Sequence, residues 1–454
     1  MGAREFIRTR LGGVTGYGTI RRAAEPDRFL ERLGDAGEAQ EFITNSKEFG
    51  KGALSGSSPE QSVLRVIGKM ALRTDSNGIH PATSLTPKIS ASRIQPMQLL
   101  ISFVAMLLTI ATLASGQSQT KRYLYVSTPD AAQKDYRSGQ GILIFDIDQG
   151  HKFVRRIDIP AFNEGLRGFT GNLKTRRAYF STSNRRVGAF DLETEKIVWD
   201  KTYEAGADRS SITKDGKKIY VPTGYWYFGA DSGMLVLNAN NGELIKRLNV
   251  GPAAHNSLVS LDGRFLYLGS QTMLTIFDTR DEEMIRQIKD VGERGIFPYT
   301  MDSRNRIAYV CLGDHVGFDV VDLETGKVPH RVYAGKERIA HRTHGAALTP
   351  DERELWISDQ VGKKLFVYDA TKMPPEPKSE VELSQGGHGW VSFSLDGQYA
   401  WTHTPDVFDA RTKKLVATLK DETGVPVSGS KYFEVHFRGG KVVEMGSEFG
   451  LGRK

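Results

Sequence analysis

One residue in 454 is a cysteine, Cys311. A lone cysteine forms no intramolecular disulfide. It also excludes Cys-x-x-Cys redox or zinc pairs and the Cys-x-x-Cys-His attachment of a c-type haem. Cys311 sits in the apolar run IAYVCLG, which suits a small core residue rather than a nucleophile. Other signatures are missing too. The chain has no Gly-x-Ser-x-Gly elbow, no Walker loop, no His-Glu-x-x-His and no dinucleotide fingerprint in a strand–helix setting. No helical period of useful length intervenes beyond residue 120, which argues against a parallel-sheet α/β fold. The net charge is +7 and the pI near 9.2, yet Lys and Arg are spread through every segment beside Asp and Glu. Nucleic-acid binding needs the positive charge clustered, so no nucleic-acid partner is expected.

One long uncharged run is present. Residues 97–117 read MQLLISFVAMLLTIATLASGQ, with no charge from Leu99 to Ala114. That is short for a membrane span and suits the apolar core of a signal peptide, with Ala114 and Gly116 framing cleavage before Gln117. A lipoprotein would need a cysteine where Gln117 stands. Residues 1–96 show no sustained period and read as a doubtful N-terminal extension, with translation starting near Met97. The alternative is a cytoplasmic tail and a retained anchor, with Lys88 and Arg93 inside. The expectation is three regions: the extension 1–96, a signal peptide 97–116 and a folded domain 117–454. It places the mature protein in the periplasm or outside the cell, with no stable membrane insertion once cleaved.

The folded region is a repeat. A short strand centred on an aromatic residue recurs at Tyr125, Tyr179, Tyr220, Tyr267, Tyr309 and Trp356, and then with Ala400 at its centre. A second marker ends in Asp146, Asp191, Asn238, Asp278, Asp322, Asp369 and Asp409. Both markers hold a period of about 45 residues seven times, the range of a four-stranded propeller blade. Asp-Gly turns precede the first marker, and turns such as ETGK follow the second. Each unit therefore reads as four antiparallel strands, A to D from the inside out. A lone four-stranded sheet cannot bury both faces, but radial stacking can. The fold expected is all-β, a seven-bladed β-propeller of four-stranded antiparallel blades. Residues 431–437 supply the missing first strand. Residues 441–446 are one strand too many, which leaves an eighth blade open.

ITKDGKKIYV, VSLDGRFLYL, FDVVDLETGK and ALTPDERELWIS carry a more specific pattern. In these stretches the units resemble the YVTN-type propeller repeat over residues 121 to about 446. The resemblance implies the fold. It does not select a function, because binding proteins, lactonases and lyases share the repeat.

The A–B and C–D turns are short and share one face. The other face receives the longer loops 129–141, 224–233, 312–318 and 404–407, and binding residues favour such loops on a rigid scaffold. Twelve residues before the aromatic markers stand Arg167, Asp208, His255, Phe297, His344 and His388, with Lys431 as the looser C-terminal equivalent. These positions are expected to ring the mouth of the central channel on the long-loop face. The candidate ligand-binding residues are Arg167, Asp208, Arg209, His255, His344 and His388, together with Tyr225, Trp226 and Tyr227 of the GYWYFG loop. Trp390 is expected to pack between blades. The partner expected is a small-molecule ligand or a protein at this mouth. A metal-dependent hydrolase or lyase is the alternative, with a divalent metal held by His344, His388 and His403 and with His255 contributing. Histidine-rich propeller mouths in copper enzymes and lyases resemble this in outline. Arg209 and Arg342 would favour an anionic substrate. A calcium lactonase is less well matched, because only Asp208 among the ring positions is acidic. A repeat scaffold for protein association through GYWYFG is the third class.

Overall fold

In a computed structural model the described residues are 119–446, apart from 129–140, 160–165, 183, 226, 294, 297, 336, 339–342, 388–389 and 430. They contain 29 strands and no helix. The expectations for residues 1–96 and 97–116 lie outside the described residues, as do Trp226, Phe297, Arg342 and His388.

The strands form seven antiparallel sheets around a ring. Blade 4 shows the plan: Ala254–Val259, Phe265–Ser270, Met273–Asp278 and Met284–Ile288, each paired to the next. The two middle strands are buried along almost their whole length, and the outer one is half-exposed. Blades 2, 3, 5, 6 and 7 repeat it from Leu166, Ser211, Tyr299, Thr343 and Val391 respectively.

The repeated motifs are turns held by side chains. In blade 4 the Asp262 carboxylate accepts from the Arg264 amide at 3.0 Å, the Ser260 hydroxyl accepts from the Phe265 amide at 2.9 Å, and Gly263 takes the left-handed φ of 77° that the turn requires. Thr213/Asp215, Thr349/Asp351 and Ser394/Asp396 do the same in blades 3, 6 and 7. The second marker has a matching cause. Asp191, Asp322 and Asp409 cap the C–D turn by accepting from amides two or three residues on. The aromatic markers fill the seams between blades. Trp356 of blade 6 meets Phe393 of blade 7 edge to face at 5.3 Å.

The C-terminus closes the ring. Tyr432–Arg438 pairs with Lys121–Ser127 and completes blade 1 with Ile142–Asp146 and Lys152–Ile157. Lys441–Met445 then pairs on the free side of Tyr432–Arg438. The surplus strand is thus a fifth strand on the inner edge of the closing blade, and the blade count is seven. The Glu193 carboxylate of blade 2 holds it, accepting from the Val442 amide at 3.0 Å and the Lys441 ammonium at 2.8 Å. Gly171 makes room for it, since a Cβ there would lie 2.2 Å from the Met445 sulfur.

Candidate functional site

The first strand of each blade begins on the long-loop face, so the residues at or just before its start converge there. Asp208 of blade 3 is fully buried and is the hub. Its Oδ2 lies 2.7 Å from His255 Nδ1 of blade 4 and accepts from the Tyr225 amide at 3.1 Å. Its Oδ1 accepts from the Arg209 backbone and guanidinium at 3.0 and 3.2 Å. Arg167 of blade 2 stands 3.9 Å away. Despite its burial, the carboxyl is held far below the usual carboxylate range by Arg167, His255 and Arg209.

His255 is held neutral. Burial pushes its pKa down to about 4, more than Asp208 raises it. A carboxylate only accepts, so Nδ1 carries the proton, and Arg209 Nη1 lies close to both ring nitrogens, 3.3 Å from Nδ1 and 3.1 Å from Nε2. A metal at His255 would have to displace Arg209 or Asp208. Arg209 is fixed by the seam between blades 3 and 4. Its backbone bridges to Asn256, and its carbonyl accepts from the Ser257 hydroxyl at 3.0 Å.

Trp390 packs between blades, as expected, though not only those beside its own. It belongs to blade 7, yet it packs with the core cluster of blades 4 and 5 that includes Leu258, Tyr299 and Met301. The Lys431 ammonium of the closing blade lies 4.3 Å from its ring centroid, and the Arg209 guanidinium 5.6 Å. His344 of blade 6 meets it edge to face at 6.1 Å. A side chain that meets groups from so many blades is not confined to one seam. The glycines before it are explained by crowding. A Cβ at Gly386 would lie 2.6 Å from the Gln360 carbonyl oxygen, and one at Gly387 would lie 2.7 Å from the His403 ring.

His403, in the B–C loop of blade 7, is buried, and burial pushes its pKa down to about 4 against the pull of Asp406. Neither ring nitrogen has a hydrogen-bond partner. Among the described residues no group of three or more His, Cys, Asp or Glu could hold a metal. His388, the ligand expected between His344 and His403, lies outside them.

In the GYWYFG loop, Tyr225 meets the His255 ring at 5.2 Å and Tyr227 donates to Asp231. Both are half-buried, and Phe228 is exposed at 66 %. Lys431 was placed at the mouth by its loose alignment with the repeat but not among the candidate binding residues, and nothing local marks Phe228. Cys311 is buried, and burial pushes its thiol up to about 12, as a core residue requires. A groove of about 790 Å³ on the opposite face is lined by residues such as Asp302 and Asp351. These carboxylates cap their own turns.

No family model and no curated protein sequence matches the chain. Among solved structures it is similar to the hydrazine synthase of Kuenenia stuttgartiensis, at 16 % identity and a TM-score of 0.45 over 54 % of this chain and 76 % of that one. It is also similar to the dihydro-heme d1 dehydrogenase NirN in complex with DHE, at 16 % identity and a TM-score of 0.46 over 72 % and 75 %. At that identity neither likeness bears on function, and the seven-bladed fold rests on the chain's own strand pairing.

Proposed function

We propose that this is an exported propeller of the YVTN type that binds a small ligand at the long-loop mouth. One observation carries the reading. Asp208, Arg209, His255, His344 and Lys431 are each no more than 6 % exposed, Arg209, Lys431 and His344 meet the Trp390 ring, and Asp208 and His255 join Arg209. A flat protein surface cannot reach groups buried so deeply, whereas a small molecule can enter a concave site with a few polar groups at its base. The GYWYFG loop, with Phe228 exposed, stands beside that path. Titrating the purified protein with a panel of small metabolites, read by calorimetry, tests the reading. Saturable binding that Trp390→Ala abolishes supports it, and binding untouched by that substitution counts against it.

A metal-dependent hydrolase or lyase is the second reading, and His403 favours it. A neutral imidazole without partners is costly to bury and has the lone pair a divalent cation needs. Elemental analysis decides. Stoichiometric zinc, copper or iron that His403→Ala removes supports this reading, and its absence from protein purified without chelators ends it.

A further inference from the structure

The groove on the short-turn face lies between the A–B turns of blades 5 and 6 and holds about 790 Å³. The two turns that wall it depart from the repeat. In blades 3, 4 and 7 the turn reads Ser/Thr-x-Asp-Gly, with a capping aspartate and a left-handed glycine. In blade 5 the cap has moved to Asp302, whose carboxylate accepts from the Arg306 and Ile307 amides at 2.7 and 3.1 Å. Arg304 takes the place of the capping aspartate, and Asn305 takes that of the glycine at a φ of 57°. In blade 6 Glu352 stands at the glycine position, also at 57°. Its Oε1 accepts from the Ser303 amide at 2.7 Å, which ties one wall to the other. Asn305 in turn donates to Asp262 of blade 4 at 2.9 Å. The groove is thus braced on both sides.

One buried polar group at the groove is left without a partner. Tyr309 lines it, is 3 % exposed, and packs its ring edge to face on Phe318 at 5.9 Å. Burial, helped by the charges of Asp302 and Glu352, pushes its hydroxyl up to about 12, so it keeps its proton. Tyr179 and Tyr220 stand at the same repeat position and donate to Thr175 and Glu282, each at 3.1 Å. Among the described residues the Tyr309 hydroxyl has no such partner. A buried hydroxyl left unpaired is costly, and a ligand in the groove supplies what the turn does not. The exposed Arg304 likewise has no ion pair or hydrogen bond among the described residues. Asp351 spends one oxygen on the Thr349 hydroxyl and the Arg353 amide, which leaves the other open. Uncommitted donors and acceptors thus share the groove with apolar surface from Leu348 and Met373. We propose that this groove is a second binding site, for a neutral saccharide. Sugar hydroxyls both donate and accept, as such a lining requires. Tyr309 and Arg304 meet its oxygens, Asp351 accepts from one of its O–H groups, and its C–H face rests on Leu348 and Met373. Both signs of charge line the groove, Asp302, Asp351 and Glu352 against Arg304 and Arg306, so no strong field selects an anion or a cation. The site lies on the face opposite the mouth and does not depend on the reading of the mouth.

The test uses the full chain and four neutral disaccharides, maltose, cellobiose, lactose and trehalose, with citrate and spermidine as charged probes. Binding is followed by calorimetry and saturation-transfer NMR at two ionic strengths. At least one disaccharide is expected to bind saturably, with an affinity that salt leaves unchanged. Tyr309→Phe removes only the hydroxyl and is expected to weaken that binding by about fivefold or more, the usual worth of one hydrogen bond. Arg304→Ala, at an exposed residue, is expected to weaken it too and provides the test if Tyr309→Phe does not fold. If citrate or spermidine binds more tightly than every disaccharide and is weakened by these same variants, the groove is a charged-ligand site and the saccharide assignment fails. If a disaccharide binds but neither variant weakens it, it binds elsewhere and the assignment also fails. If none of the four binds, the assignment is overturned.

Discussion

Asp208 shows how one residue organises the mouth. It joins a blade 2 arginine, a blade 3 arginine and a blade 4 histidine. Replacing it with asparagine keeps the shape but leaves buried cations without their counter-charge. Breaking a buried ion pair from one side typically costs about 3–5 kcal/mol. Asp208→Asn is therefore expected to lower the unfolding free energy by roughly that amount, measured by urea titration at neutral pH. An unchanged midpoint would mean that the carboxylate is not the hub. Counting twelve residues back from the aromatic markers picked out Arg167, Asp208, His255 and His344, because a propeller repeats its geometry with its sequence. The reach of Trp390 beyond the blades beside its own was not legible, since spacing locates a backbone position but not how far its side chain reaches.

The closing blade carries the argument at the scale of the element. Phe433 on its inner strand stacks with Tyr125 at 6.0 Å and packs on Phe169 of blade 2 at 4.6 Å. It is 1 % exposed. Phe433→Ala should therefore cost about 3–5 kcal/mol, the usual range for a buried aromatic truncated to alanine. The denaturation midpoint reads it directly, and a loss below about 1 kcal/mol would mean that the seam does not depend on this ring. Seven blades were readable from the two strand markers and their turns, whose chemistry is local. The surplus strand 441–446 was readable too, but its place on blade 1 was not. KVVEM has no strict apolar–polar alternation to assign it a face, and its pairing with the inner side of Tyr432–Arg438 is a long-range choice.

For the whole molecule, the buried histidines set the response to acid. Burial pushes His151, His255 and His403 down to about 4 from 6.5. Each is neutral in the folded state, while the unfolded chain takes up a proton below pH 6.5. Their contribution is thus fully present above 6.5 and is lost as pH falls toward 4, at up to about 1.4 kcal/mol per pH unit for each histidine. Urea midpoints at pH 7.5, 6, 5 and 4.5 should fall steadily below pH 6.5, and equal midpoints would contradict this. Export is checked separately. N-terminal sequencing of the mature protein is expected to begin at Gln117, and an intact Met1 would refute the signal-peptide reading.

The central claim is that a small molecule reaches the buried groups of the mouth. Its most direct test is the indole N–H signal of Trp390, assigned by its disappearance in Trp390→Phe, during a titration of the nitrogen-15-labelled protein with each member of the metabolite panel. The Trp390 signal should shift saturably while those of Trp356 and Trp401, buried in the blade seams, stay in place. A Trp390 signal that does not move, or one that moves together with the seam tryptophans, would contradict the claim.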